Sequence, residues 1–142
     1  MKNFMQDALE VALQTKDEIP VGAVIVKDNE IIAFAHNKKE ELKKSSAHAE
    51  MLAIEMAQNG LRRWRLDDCD MYVTLEPCPM CASAIIQAKI KNLYFGSFNP
   101  QYGALGSITD LRHIHNSKLK VYGGILEEDC DIILKSFFER LR

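Results

Sequence analysis

The chain has 142 residues, of which 47% are hydrophobic and 27% are charged, and these values predict one globular domain over residues 1–142. Its formal net charge of −2 excludes a uniformly basic nucleic-acid-binding protein, although local lysine and arginine clusters can still bind phosphate. With no apolar run near the roughly 20 residues that cross a bilayer, and a polar N-terminal segment unlike a signal peptide, we expect a cytoplasmic protein without a membrane span.

The first half of the chain predicts a helix, a hairpin and a second helix. Apolar residues at helical spacing indicate the first helix over 4–14. Residues 21–37 hold two β-branched runs on either side of Asp28 and Asn29, which tolerate a tight turn, so this segment predicts a β-hairpin. The second helix is expected from about Ala47 to Gln58, where an Asn-Gly pair follows.

The second half of the chain predicts strands that alternate with helices. Strands are expected over 71–76, 91–97 and 119–124, and helices over 79–90 and 125–142. A hairpin followed by this alternation indicates the α/β class, with parallel pairing in the later part of one sheet. Because such sheets bind ligands beyond the carboxyl ends of their strands, the segment after the strand over 71–76 is a candidate site.

The cysteines of this segment favour metal binding or catalysis over disulfides, as expected in a cytoplasmic protein. Cys78 and Cys81 share a face at the start of the predicted helix, where the helix dipole favours thiolates. Their spacing alone also fits a redox pair, or two cysteines that only fill the core. Cys69 and Cys130 have no candidate ligands close in sequence, and we expect both to be core or partly buried thiols.

An upstream histidine and carboxylate favour a metal site. His48 and Glu50 lie at the start of the predicted second helix, where both can reach a common centre. An imidazole and two thiolates suit zinc, and a catalytic zinc keeps its fourth position for water. Such water has a pKa of ~7, and a carboxylate beside it can carry protons. We therefore expect zinc to be held by His48, Cys78 and Cys81, with Glu50 as the catalytic proton carrier.

The order His-x-Glu followed by Pro-Cys-x-x-Cys is the signature of zinc nucleobase deaminases. Over nearly its whole length, the chain resembles the bacterial tRNA-specific adenosine deaminases. The zinc motif marks the superfamily, whereas the segment from Phe95 to Ser107 and the Phe137–Phe138 pair of the last helix narrow the resemblance to this branch. Further resemblance runs through residues 20–26, 36–37, 47–54, 72–85 and 127–142.

The resemblance implies a three-layer α/β/α fold of the cytidine deaminase-like type, with helices on both faces of a five-stranded mixed sheet. It implies hydrolytic deamination of adenosine to inosine at the wobble position, the first of the tRNA anticodon. Zinc-bound hydroxide would attack C6 of adenine, with one Zn²⁺ per subunit and Glu50 as the proton shuttle. It also implies a homodimer whose partner subunit helps to form the surface for the anticodon stem-loop.

The resemblance also implies roles around the target base. Asn37 would form hydrogen bonds with the flipped base or its sugar, and Val21 and the Ala49 backbone would line the base pocket. The alternative for Asn37 is that it only ends a strand. Phe137 or Phe138 would contact a neighbouring nucleotide, and we assign this contact to Phe138; the alternative is that these rings pack in the core or at a subunit contact.

Two positions depart from the family pattern. Residues 44–46 are Lys-Ser-Ser where the family often has an acidic residue and a proline, which changes the entrance loop and not the chemistry. Asn99, which with its loop would contact the anticodon backbone, stands where the family usually has aspartate. We hypothesise that the missing charge weakens discrimination between RNA and DNA.

Two other functions compete with this interpretation. A zinc deaminase of a free base or nucleoside, such as guanine, cytosine or cytidine, shares the Pro-Cys-Pro-Met-Cys motif, but the Gly-Ala-Leu-Gly-Ser segment and the basic clusters argue against it. A structural zinc or RNA-binding module without catalysis would use four protein ligands. The sequence offers a set of three, and Glu50 would be left without a role.

Overall fold

The computed structural model describes residues 3–141, which form a three-layer α/β/α arrangement around one five-stranded mixed sheet. The strand order is β2-β1-β3-β4-β5, with β1 antiparallel to β2 and β3, and with β3, β4 and β5 mutually parallel. The expected mixed sheet and its parallel later part are confirmed. The strands are β1 Gly22–Lys27, β2 Glu30–His36, β3 Asp70–Leu75, β4 Asn92–Ser97 and β5 Lys120–Tyr122.

The described residues form six helices, four of which the sequence predicts. The two others, α2 and α5, are single turns, too short for a periodic pattern to reveal. None of the helices within 3–141 is long and apolar enough to span a membrane. The helices are α1 Phe4–Ala12, α2 Lys39–Leu42, α3 Ala49–Leu61, α4 Pro79–Gln87, α5 Arg112–His115 and α6 Glu127–Arg140.

The two faces of the sheet bury separate cores, because successive strand residues point to opposite sides. On β1, Ala23 and Ile25 join the core beneath α3 and α4, whereas Val24 and Val26 join the core beneath α1 and α6. Burial of β1 on both sides explains its continuous apolar sequence. Cys69 and Cys130 are buried thiols, as expected.

A glycine at the start of β1 lets α1 pack directly on the sheet. A Cβ atom on Gly22 would lie 2.1 Å from the Ala8 carbonyl oxygen and 2.5 Å from the Ala12 nitrogen. Both atoms belong to the backbone of α1, so a side chain here would have to push the helix away. This close contact holds the start of β1 against α1.

The predicted end of the second helix was wrong. α3 continues through the Asn-Gly pair to Leu61, and Arg62 then ends it in the left-handed conformation, with φ 55° and its N–H bonded to the Gln58 carbonyl. Gly60 is exposed, and a Cβ atom on it would have no neighbour within 4 Å, so it fits a helical backbone without contributing to packing. A glycine within a helix costs only about 1 kcal/mol relative to alanine, so packing of the neighbouring turns can outweigh it. Here Ile54 and Ala57, in the turns before Gly60, are buried in the core.

Candidate active site

The N-termini of α3 and α4 meet beneath the carboxyl end of β3. His48 is the N-cap residue of α3, and Glu50 is in its first turn. Cys78 is the N-cap residue of α4, and Cys81 follows within the same first turn. Pro79 occupies the first position of α4, where a missing N–H costs nothing and the fixed φ suits the helix. Helix starts therefore orient all four side chains.

The three candidate ligands converge as the sequence predicted. The Nδ1 atom of His48 lies 3.8 Å from Sγ of Cys78 and 3.5 Å from Sγ of Cys81. All three ligand atoms lie within 4.8 Å of one another. Tetrahedral zinc with Zn–N bonds of ~2.0 Å and Zn–S bonds of ~2.3 Å places nitrogen and sulfur ~3.5 Å apart. The donor set and its spacing thus form a possible zinc site.

The contacts of the two thiols give them opposite acidities in the metal-free chain. The hydrogen bond from Cys81 and, after it, the contact with His48 lower the pKa of Cys78 to about 4, despite its partial burial. The same Cys78 contact, together with burial, raises the pKa of Cys81. The hydrogen bond with Cys78 also raises the pKa of His48. One thiolate is thus already present in the metal-free site at neutral pH.

Alkylation should distinguish the cysteines of the metal-free protein. We expect iodoacetamide at pH 7 to modify Cys78 first, since the thiolate is the nucleophile and this residue is partly exposed. Burial raises the pKa of Cys69 to about 12, and that of Cys130 to about 12, so both should stay unmodified until the protein unfolds. Added zinc should protect Cys78. Peptide mass spectrometry measures each site, and equal labelling of Cys78 and Cys69 would contradict the acidity order.

Glu50 is a buried carboxyl group next to the possible zinc site. It is 4% exposed, and burial raises its pKa to about 7 in the metal-free chain; the thiolate of Cys78 acts in the same direction, while His48 and Cys81 oppose it. A carboxyl group with a pKa near neutrality can both accept and donate a proton at physiological pH. Glu50 is therefore suited to carry protons at this site.

A cavity of about 590 Å³ opens over these residues, a volume in the range of small-molecule sites. It brings together segments that are far apart in sequence, from the loop before β1 to helix α6. The lining residues are Asp17, Glu18, Ile19, Val21, Asn37, Lys39, Glu40, His48, Glu50, Leu75, Glu76, Cys78, Asn99, Tyr102 and Phe137. Val21, Asn37 and Asn99 thus lie at the same cavity as His48, Glu50 and Cys78, and their contacts with a substrate stay predictions.

The side chain of Asn37 holds two walls of the cavity together. Its Oδ1 accepts a hydrogen bond of 2.8 Å from the Ala49 N–H, and its Nδ2 donates one of 2.9 Å to the Ile19 carbonyl. One Nδ2 hydrogen and one lone pair of Oδ1 are left for a ligand. Ala49 itself is fully buried and is not among the lining residues, so its backbone acts on the cavity through Asn37.

The structure shows the surroundings of Phe138 and Asn99, whose contacts with RNA stay predictions. Phe137 is 8% exposed and lines the cavity, whereas Phe138 is 48% exposed and does not. Asn99 lies at the cavity, but its Oδ1 accepts hydrogen bonds from the N–H groups of Gln101 and Tyr102. Its Nδ2 makes no hydrogen bond within residues 3–141, so the Asn99 side chain can donate a hydrogen bond to a ligand.

Sequence reasoning missed two buried carboxylates at this cavity. Glu18 accepts hydrogen bonds from the N–H groups of Lys39 and Glu40 and thereby fixes the start of α2. Glu76 directly follows β3, two residues before Cys78, and accepts hydrogen bonds from the loop that contains Asn99. An acidic residue at the end of an otherwise apolar buried strand was the available signal for Glu76. Glu18 had no such signal.

Comparisons with known proteins agree with this geometry. Residues 1–97 match the family described as the cytidine and deoxycytidylate deaminase zinc-binding region. A tRNA-specific adenosine deaminase of Bacillus subtilis is 43% identical over 98% of this chain and 89% of its own length. A solved structure from work on A-to-I editing by tRNA:A34 deaminases has a TM-score of 0.86 and 41% identity, over 92% of this chain and 98% of that one.

A free-base deaminase is also similar. The solved guanine deaminase of Bacillus subtilis has a TM-score of 0.67 and 36% identity, over 82% of this chain and 76% of its own. Its match is shorter and its structural agreement lower than those of the A34 deaminase structure. The chain belongs to the cytidine and deoxycytidylate deaminase family of zinc-binding proteins and, within that family, to the tRNA-specific adenosine deaminases.

Proposed function

We propose that this protein deaminates adenosine to inosine at the wobble position of tRNA, with one zinc ion per subunit. The observation that carries the proposal is the placement of buried Glu50 beside His48, Cys78 and Cys81 at the base of the cavity. The tRNA substrate comes from the relatives, which are tRNA-specific adenosine deaminases. Adenosine and water give inosine and ammonia.

The chemistry divides between the ligands and Glu50. His48, Cys78 and Cys81 would hold zinc, which when bound lowers the pKa of water at its open position to ~7 and makes that water nucleophilic. Glu50 would accept one proton from the attacking water and deliver it to a ring nitrogen of adenine. It would then accept the second proton, from the oxygen newly bonded to C6, and deliver it to the amine, which leaves as ammonia. The pKa of Glu50, raised by burial to about 7, suits a group that must both gain and lose a proton.

The cavity walls would hold an adenine that has left the stack of the anticodon loop. A flipped base needs apolar surfaces for its faces and polar groups for its edge. Val21 and Leu75 offer apolar surface at the cavity, and the remaining Nδ2 hydrogen of Asn37 offers a donor. Since Asn37 also bonds to the N–H of Ala49, next to His48, it links the base to the ligand-bearing helix.

A deamination assay tests the proposal directly. The purified protein is incubated with a tRNA carrying adenosine at the wobble position, and inosine is quantified by nucleoside mass spectrometry. Parallel reactions contain free guanine, cytosine, cytidine or adenosine, and ammonia release is measured. We expect inosine to form in the tRNA, and we expect no ammonia release from any of the free compounds. Turnover of a free compound with an unchanged tRNA would reject the proposal and favour the free-base activity that the guanine deaminase likeness supports.

The amide at position 99 leads to a prediction about sugar selectivity. Asn99→Asp adds a carboxylate whose one oxygen can accept the loop N–H groups while the other accepts from a ribose 2′-hydroxyl. We expect the ratio of RNA to DNA deamination to rise by about 10- to 100-fold, the worth of one hydrogen bond to a charged group. Matched RNA and DNA hairpins measure this ratio. An unchanged ratio would remove the hypothesis.

A homodimer and a cytoplasmic location are part of the same proposal. A groove of about 500 Å³ lies between α3 and α4, with Met51 and Ala84 among its lining residues, and we assign it to the partner subunit. Ala84→Arg would place a charge in this groove, and we expect it to convert dimers to monomers in light-scattering chromatography. A wild-type monomer, or a dimeric variant, would reject this assignment. Cell fractionation tests the location.

A further inference from the structure

One buried carboxylate, that of Glu76, attaches the loop over 99–107 to the chain segment that leads into Cys78. Glu76 is 1% exposed. Its Oε1 accepts a hydrogen bond of 3.1 Å from the Asn99 N–H and a short one from the Ser107 hydroxyl. Its Oε2 accepts bonds of 3.2 Å and 3.0 Å from the N–H groups of Leu105 and Ser107. The carboxylate therefore holds both ends of the loop.

The same segment continues directly into a candidate zinc ligand. Glu76 is followed by Pro77 and Cys78, and the Pro77 carbonyl accepts a further hydrogen bond of 2.9 Å from the Ala104 N–H. The N–H of Glu76 is itself bonded to the Ser97 carbonyl of β4, at 2.8 Å. The position of the loop is thus set with reference to the strand end that carries Cys78.

The loop lies close against the carboxylate because it has a glycine where the two meet. A Cβ atom on Gly103 would lie 2.5 Å from both Cδ and Oε2 of Glu76. Within residues 3–141, Glu76 forms no ion pair. Its charge is therefore balanced by N–H and O–H dipoles, each of which comes from this loop, and a buried carboxylate is costly unless such bonds are complete.

The loop over 99–107 also forms part of the cavity wall. Asn99 and Tyr102 line it together with Glu76 and Cys78, and Tyr102 is largely exposed. A shift of the loop would therefore move the rim of the cavity relative to the ligands without touching the ligands themselves. Loops that contact a substrate need such anchoring, because a misplacement of about 1 Å can cost a hundredfold in rate.

We infer that Glu76 is a positioning residue, which holds the 99–107 loop in register with the zinc ligands so that the loop can receive the RNA backbone beside the target base. The identity of the ligand as RNA rests on the proposed function. The anchoring of the loop rests on the contacts alone. The residue acts on substrate binding through the loop and takes no part in proton transfer.

The test uses Glu76→Gln, which keeps the shape but places an NH₂ group against N–H donors. We expect the amides of Asn99, Leu105 and Ser107 to exchange with deuterium at least about tenfold faster, since each loses a bond to a charged group. We expect KM for a wobble-adenosine hairpin to rise about tenfold, with kcat changed less than about threefold. Zinc content, measured by elemental analysis, should stay at the wild-type value.

A matched control separates positioning from general stability. Met71 is fully buried at the other end of β3, so Met71→Ala should lower the melting temperature without changing loop exchange or KM. If Glu76→Gln fails to fold, Ser107→Ala removes one donor and should raise KM in the same direction by about threefold. Wild-type amide exchange or unchanged KM in the folded variants would overturn the inference, and so would equal KM changes in Glu76→Gln and Met71→Ala.

The two proposals fail in different ways. If the wild-type protein leaves the hairpin unchanged, the proposed function is wrong, while deuterium exchange still decides whether Glu76 anchors the loop. If the wild-type protein deaminates the hairpin but Glu76→Gln has the wild-type KM, the proposed function stands and the role of Glu76 is rejected.

Discussion

Glu50→Ala is expected to lower kcat for tRNA deamination by about 10²- to 10⁴-fold, the usual contribution of a general acid–base group. Glu50 is buried next to the possible zinc site, whereas the carboxylates of Glu18 and Glu76 at the same cavity accept hydrogen bonds from backbone N–H groups. The variant should keep its zinc, because the ligands are His48, Cys78 and Cys81. Glu50→Gln should be as inactive, since an amide cannot transfer protons at neutral pH.

Inosine formation and zinc content, measured on the same samples, check this prediction. Glu10→Ala, which changes an exposed carboxylate of α1, is the control and should match the wild type. Loss of zinc or of folding in Glu50→Ala would favour a structural zinc module, in which the carboxylate supports the metal. Near-normal activity would remove Glu50 from the chemistry.

Cys81→Ser is expected to abolish both zinc binding and deamination. Serine is a poor zinc ligand, and loss of a direct ligand should weaken zinc binding by more than the roughly 10- to 100-fold that outer-sphere changes cost. The matched control is Cys69→Ser. Cys69 is also fully buried but lies at the opposite end of β3, away from the cavity. Both substitutions place a hydroxyl in the interior, so their stability costs should be comparable.

Elemental analysis and the inosine assay distinguish the two serine variants. We expect full zinc and full activity at permissive temperature for Cys69→Ser, and neither for Cys81→Ser. Stoichiometric zinc in active Cys81→Ser would show that the metal lies elsewhere. Activity in wild-type protein stripped of metal by a chelator would contradict the zinc mechanism as a whole and reopen the redox interpretation of the cysteine pair.

Local patterns were sufficient where the physical cause is local. Four of the helices and all the strands were predicted from local runs and spacings of apolar residues, because each of these elements buries apolar side chains of its own segment on one or both sides. The end of α3 was predicted too early, because tertiary packing can stabilise a helix beyond an Asn-Gly pair. The single-turn helices α2 and α5 contain too few residues to display a period.

The sequence by itself determined the possible zinc ligands and the carboxylate beside them, because metal chemistry admits few residue types and helix starts fix the direction of side chains two or three residues apart. Only the tertiary structure decided the rest of the site. It brought Phe137 and not Phe138 to the cavity, directed Asn37 partly to backbone groups, and made Glu76 the anchor of the loop over 99–107. These contacts join residues more than ten positions apart in the chain, and their geometry depends on how strands and helices pack, which no local spacing encodes.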